Sequence, residues 1–253
     1  MGDREDSNLH SRIQRAVVPP SHDHPIRATT TPSAALQPHC KRVISRLHQA
    51  LLAVVAAVFV WSAIRPHGYF IWLLEVFPAV LGFAILAATY RRFPLTDLAY
   101  VLVAVHACIL FVGGHYTYAE EPLFNWIRDT FHLARNNYDK VGHFAQGFIP
   151  AILTREILLR TSPLRPGKWL SFLTVCVCLA LSAVYEFLEW WVALATGEAA
   201  DGFLGTQGYV WDTQSDMWYA TIGAILSLAV LSKTHDRMLN SISAGRSAPP
   251  AGR

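Results

Sequence analysis

Apolar stretches of near membrane-spanning length recur along most of this chain, and they limit its fold more than any other feature. A helical crossing of a bilayer takes about 20 apolar residues. Candidate stretches lie at residues 47–64, 69–90, 95–113, 141–159, 169–196 and 216–231. The second is interrupted by Glu75 and Pro78. The fourth is the weakest, with Pro150 inside it and Arg155-Glu156 near its end. The 253 residues are 53% hydrophobic and only 15% charged, an apolar excess over the usual globular share. The expected fold is therefore all-α: a polytopic membrane bundle of about six transmembrane helices, with the lipid bilayer as its solvent.

Basic residues set the expected orientation, because cytoplasmic loops carry the excess of Lys and Arg. With both termini cytoplasmic, all but four of the 21 Lys and Arg fall inside; the exceptions are Arg65, Arg128, Arg135 and Lys140. Arg155 and Arg160 are expected to snorkel to the inner headgroups. If the fourth segment did not cross, the basic C-terminal tail would lie outside. Seven of the eight tryptophans fall near the outer interface in this arrangement, Trp169 being the exception. The expected organisation is a disordered cytoplasmic tail over residues 1–44, a membrane domain over 45–233 and a cytoplasmic tail over 234–253. No cleavage pattern follows the first apolar run, so a secretory signal is not expected. His22 and His24 flank Asp23 in the tail.

Several function classes fall away. A net charge of +3 is no nucleic-acid footprint. Cys176 and Cys178 stand two apart in an apolar run, which is no zinc spacing. With Cys40 and Cys108 they read as small apolar fillers or bystanders. The stretch from Gly202 to Gly208 has no Gly-Lys-Ser/Thr and is no phosphate loop of the Walker type. It reads as a compact covering turn, with anion binding by its backbone N–H groups as the alternative.

The chemistry concentrates at the outer ends of the helices. Asp139 and His143 are four apart at the start of the fourth segment. Asp212 and Asp216 are four apart at the start of the sixth. On a helix such pairs share one face. Glu186 and Glu189 lie in the outer part of the fifth, and Glu75 can join them. The outer loops add Glu120, Glu121, Asp129, His132, Glu198 and Asp201. The inner halves hold almost no ionisable group except His106, read as a buried, satisfied histidine. Ionisable groups in a membrane face a partner, a cavity or water, which leaves three readings. One is a divalent-metal site formed by Asp139, His143, Glu186, Glu189, Asp212 and Asp216. Another is a structural network in which Lys140, Arg128 and Arg135 neutralise the acids. The third is a proton or ligand relay.

The same residues carry a resemblance. Asn125-Trp126-Ile127-Arg128-Asp129, the run from Tyr138 to Phe148, Tyr185-Glu186-Phe187-Leu188-Glu189-Trp190, Gly205-Thr206-Gln207-Gly208 and the run from Trp211 to Met217 closely resemble the YjdF family of bacterial inner-membrane proteins. The likeness spans residues 47–231. Tyr209 stands where that pattern tends to carry an acid. The resemblance implies a multi-helix domain in the bacterial inner membrane and leaves the activity open. A more distant likeness to VanZ-type membrane proteins rests on Asp139, Lys140, His143, Phe144, Glu186, Asp212, Asp216 and Gly223. The spacing of Asp212 and Asp216 is four here and usually three there.

The resulting expectation is a polar outer-face site acting on an envelope lipid or small amphiphile with a divalent metal. In it His143, Glu186 and Asp216 act as acid, base or ligand, and Lys140, Gln207 and Trp211 meet the substrate. The alternatives are a proton- or ion-coupled transporter and a non-catalytic membrane scaffold.

Overall fold

The computed structural model describes residues 45–197 and 201–247, with the side chains of 201, 202 and 243–247 left aside. The expected N-terminal tail, with Cys40, His22 and His24, lies outside the described residues, as do Glu198 and residues 248–253. The described part is helical throughout. Its elements are α1 (Arg46–Ser62), α2 (Tyr69–Thr89), α3 (Asp97–Tyr116), a 3-10 turn (Tyr118–Glu120) and α4 (Pro122–Phe131). There follow α5 (Tyr138–Thr161), α6 (Lys168–Thr196), the short α7 (Asp201–Leu204) and α8 (Asp212–Ser247). Four helices are long and apolar enough to cross a bilayer: α2, α3, α6 and the Asp212–Ile242 part of α8. α1 is apolar but has 17 residues.

The weakest of the apolar stretches turns out to be the centre of the bundle. α5 packs on α3, α6 and most extensively on α8. Asp139, Lys140, Arg155 and Glu156 along it are all buried. Its low apolarity has a physical reason. A helix surrounded by protein needs partners for its polar groups rather than a lipid-soluble surface. The lipid-type surface is instead carried by outward residues such as Phe77, Leu81, Phe172 and Leu188, which are exposed.

Small residues let α5 and α8 approach to backbone contact. A Cβ on Gly147 would overlap the carbonyl group of Ala220, and one on Gly223 would overlap the carbonyl of Phe144. Ala151, Ala220 and Ala224 extend the same seam and are fully buried. Interhelical contact of this kind is how membrane helices associate when burial from water gives no driving force. The two helices run parallel, since Asp139 lies beside Asp212 at one end and Arg155 beside His235 and Asp236 at the other.

At that second end the side chains depart from expectation. Arg155 does not snorkel. It is buried and donates to His235 Nδ1 at 2.9 Å and to Asp236 at 2.7 Å. His235 Nε2 faces Glu156 at 3.1 Å. Glu156, with 0% exposure, also accepts from the Thr96 amide and hydroxyl and from Arg160 at 2.7 Å. Arg160 further donates to the Pro94 carbonyl and lies over the Phe93 ring. This cluster explains why α8 continues past residue 231 to Ser247. His235 and Asp236 anchor the extra turns to α5, so that part of the helix needs no apolar run.

This packing sets the expected cost of three substitutions. Gly147→Leu forces the seam apart and is expected to cost about 3 kcal/mol or more, read as a fall in the midpoint of denaturant unfolding in detergent. Glu156→Ala leaves Arg160 and His235 without their shared acceptor and is expected to cost about 3–5 kcal/mol. Asp236→Asn, at a half-exposed carboxylate, should cost about 1 kcal/mol or less in the same measurement.

Candidate functional site

The opposite end of the α5–α8 pair holds the site. Both helices begin here, with Asp139 in the first turn of α5 and Asp212 in the first turn of α8. Helix N-termini favour negative charge, so the fold itself prepares this end for carboxylates. α6 runs the other way and brings Glu186 and Glu189 up from below.

Lys140 is the hub of the first half of the site. Its buried ammonium lies 2.8 Å from Asp212 Oδ1 and 3.3 Å from Asp139 Oδ2, and it donates to Asp216 Oδ1. Arg135 completes this half. It donates to Asp212 and to Asp139 at 3.3 Å, and to the Gly205 and Thr206 carbonyls at 3.1 and 3.3 Å. Two cations thus hold three carboxylates. Tyr209 lies over both, with its ring centre 5.7 Å from the guanidinium carbon of Arg135 and 5.9 Å from the Lys140 nitrogen. The ring offers its π face to these two cations.

His143 leads to the second half. Its Nε2 is 3.2 Å from Asp139 Oδ1, the pairing expected of positions four apart. Its Nδ1 lies 3.0 Å from Gln146 Oε1 and 3.9 Å from Glu186 Oε1. His143, Glu186 and Glu189 can each present a ligand atom with all three within 4.8 Å of one another. Glu186 is 6% exposed, and the Thr213 hydroxyl hydrogen-bonds to it, yet its Oε1 is buried with no hydrogen-bond partner. A buried acceptor left unpaired is costly. Glu75 of α2, satisfied by the hydroxyls of Tyr118 and Tyr185, lines a small chamber with Asp139, His143 and Glu189. The chamber has a volume of about 60 Å³.

The ring of Tyr118 reaches Glu75 because it is sandwiched between two glycines. A Cβ on Gly113 of α3 or on Gly142 of α5 would collide with it. Burial pushes the Tyr118 phenol well above its usual range, with the nearby Glu75 carboxylate adding to the shift. It therefore stays a neutral donor. The only sequence signals for it are Gly113-Gly114 and the Gly142 inside the α5 motif.

Asn136 is the knot that holds the loops in place. Fully buried, it donates to the Glu121 carbonyl and to Asn125 Oδ1, and its own Oδ1 accepts from the Tyr138 amide. Its backbone exchanges two 2.9 Å hydrogen bonds with the Gln207 side chain. Gln207 is therefore occupied as a clamp, at φ +46. Trp211 points away, 62% exposed. The glycine-punctuated loop turns the carbonyls of Gly205 and Thr206 toward Arg135, which fits a covering turn.

Other acids at this end are spent locally. Arg128 pairs with Asp129 at 2.8 Å on the surface rather than with the buried acids. Glu121 caps α4 by accepting from the Phe124 amide. His115 faces the Ser62 carbonyl, and His132 closes α4 in the left-handed conformation. What converges is thus Glu75, Asp139, Lys140, His143, Glu186, Glu189, Asp212 and Asp216, with Arg135, Gln146, Thr213, Tyr118 and Tyr185 as their close partners.

Residues 47–237 match the family model described as "Predicted membrane protein (DUF2238)". The chain is 49% identical over 182 residues to "Inner membrane protein YjdF" of Escherichia coli (strain K12), covering 72% of this chain and 87% of that protein. No solved structure matches it. All the residues that form the site lie within the matched residues 47–237, and the chain belongs to the DUF2238 family of predicted membrane proteins, the family of YjdF.

Proposed function

We propose that the second half of the site binds a divalent cation through His143 Nδ1, Glu186 and Glu189, and that the loaded site acts on an envelope lipid or small amphiphile at the outer face of the bacterial inner membrane. The unpaired Glu186 Oε1, aimed beside the imidazole, is the observation that carries this reading. Charge supports it. Arg135 and Lys140 are committed to Asp139, Asp212 and Asp216, two cations against three carboxylates. Glu186 and Glu189 then share only His143, and buried carboxylates need a compensating cation.

The same inventory narrows the expected ligand set. Asp139, His143 and Asp216 also lie close together, but the Lys140 ammonium already binds Asp139 and Asp216. A dication there would face a fixed positive charge. Asp139 suits a different role. By accepting from His143 Nε2–H it orients the ring, the usual carboxylate–histidine support of a metal ligand, and Nδ1 becomes a ligand when it gives up its proton and its 3.0 Å contact with Gln146 Oε1. One imidazole and two carboxylates suit zinc, manganese or iron. When bound, such a metal polarises a substrate oxygen or activates water. Glu75, with its two tyrosine donors, lies across the chamber.

The orientation belongs to the same proposal. Six crossings, with α1 and α5 among them and both termini cytoplasmic, put the site at the outer face, in accord with the distribution of Lys and Arg. The E. coli relative's name, an inner membrane protein, supports the location. A reporter fused after residue 247 should then read as cytoplasmic; a periplasmic signal would overturn the orientation. The transport alternative gains a partner in the Glu156–His235 cluster. That cluster is fully paired, however, and stands about 20 Å from His143 along α5 at 1.5 Å per residue.

Metal content tests the central claim. Purified protein stripped with chelator and reloaded with Zn²⁺ or Mn²⁺ should retain about one ion per chain by elemental mass spectrometry, the stoichiometry of a single three-residue site. Glu186→Gln and His143→Ala should abolish retention. Asp139→Asn should weaken it about 10–100-fold, and the surface change Glu120→Gln should leave it intact. Absence of bound metal in the unsubstituted protein, or retention undiminished in Glu186→Gln, sinks the proposal.

A further inference from the structure

Below the polar chamber, α2 and α5 each pack against α3 and leave a cleft between them. The cleft is a cavity of about 410 Å³, within the range of about 300–1,000 Å³ typical of ligand pockets. Its walls are apolar: Phe83 and Leu86 from α2, Leu110 from α3, Ile149 and Leu153 from α5. Pro78, His106 and Leu110 line both this cleft and the polar chamber, so the two meet end to end. From Pro78 to Thr89 the cleft follows α2 for about 16 Å at 1.5 Å per residue, about half the roughly 30 Å hydrocarbon thickness of a bilayer.

Gly82 shows that the space is built in rather than left over from poor packing. The glycines at 147 and 223 are required because another backbone presses on them. A Cβ on Gly82 would meet nothing within 4 Å, and Gly82 lines the cleft. A helix interior loses about 1 kcal/mol by carrying glycine instead of alanine, and here no close contact requires it. What the missing side chain does is widen the cleft.

We infer that the cleft seats the alkyl chain of a single-chain amphiphile whose small oxygen head, of the size of a hydroxyl or carboxyl, enters the chamber between Glu75 and His143. The chamber's 60 Å³ admits such a head and excludes a glycerophospholipid headgroup. The apolar walls demand a hydrocarbon tail, and the shared residues Pro78, His106 and Leu110 place the junction of head and tail. Taking the envelope amphiphile of the preceding proposal as its starting point, this inference names its class as a long-chain alcohol or fatty acid.

The probe is a long-chain alcohol carrying a mid-chain diazirine, photolysed with the full-length protein in lipid nanodiscs and mapped by peptide mass spectrometry. Adducts should concentrate on the cleft peptides of α2, α3 and α5 and be displaced by the unlabelled alcohol. Gly82→Phe puts an aromatic ring into the cleft at a position where an added Cβ meets nothing within 4 Å. It should reduce cleft labelling about tenfold, as expected when a bulky side chain takes a ligand's place, while leaving the unfolding midpoint and bound metal unchanged. Leu81→Phe, one residue away on the exposed surface, should have no effect. Labelling in Gly82→Phe equal to that of the unsubstituted protein, or adducts spread evenly over the lipid-facing surfaces, overturns the inference while leaving the metal reading untouched. Persistent, displaceable cleft labelling in His143→Ala upholds the chain site even if metal binding fails.

Discussion

The backbone contact between α5 and α8 is what the rest of the molecule depends on. Gly147 and Gly223 remove the side chains that would hold the helices at an ordinary separation. Lipid tails are as apolar as leucine, so this contact cannot rely on escape from water. It rests on close packing and on the polar groups at its two ends. Both polar clusters hang on this one seam. At one end it brings Lys140 within reach of Asp212 and Asp216. At the other it brings Arg155 and Glu156 to His235. A loosened seam would leave each of these groups facing hydrocarbon.

The two clusters differ in how complete they are. In the Glu156 cluster every charged or polar side chain described has a partner, and it reads as a rivet. The cluster around His143 is less complete: Glu186 Oε1 is buried without a partner, and in the Lys140 half so is Arg135 Nε, although that guanidinium makes four other hydrogen bonds. Buried polar groups carry high stakes in a low-dielectric interior, and of these two gaps only the one at Glu186 is an acceptor facing an imidazole. The rigid half holds Asp139, Asp139 orients His143, and the imidazole faces the unsatisfied carboxylate. That chain of support is the arrangement expected of a preorganised binding site.

Much of this was legible in the amino-acid sequence. Hydropathy finds the helices, because spans exposed to lipid must be apolar. The spacing of Asp139 with His143, and of Asp212 with Asp216, predicts pairs on shared faces, and Asp139 and His143 do meet. Periodicity could not reveal that Lys140, from a neighbouring face of the same helix, binds Asp216 across the seam. The set of five acids and one imidazole divided in two because a lysine occupies the space among three of the acids. Arg155 was read from its position near a helix end, where snorkelling is the usual solution. Its partner His235 lies 80 residues away, beyond a span whose end was judged by apolarity alone. Tyr118 and Asn136 had no signal beyond glycines and an unremarkable loop. Their roles arise from tertiary contacts that local sequence does not encode.

The parallel register of α5 and α8 bears on how such a chain can change over time. Two sets of side chains are locked to one another along the same pair of rods, with the glycine contact between them. Inserting one residue into α5 between Gly147 and Arg155 would turn everything beyond it by about 100° and shift it by about 1.5 Å. Arg155 and Glu156 would then leave their partners while Lys140 kept its own. Only a matched insertion in α8 would restore both. Length in this stretch is thus a joint property of two separate segments, and the fold can accept substitutions there far more readily than insertions or deletions.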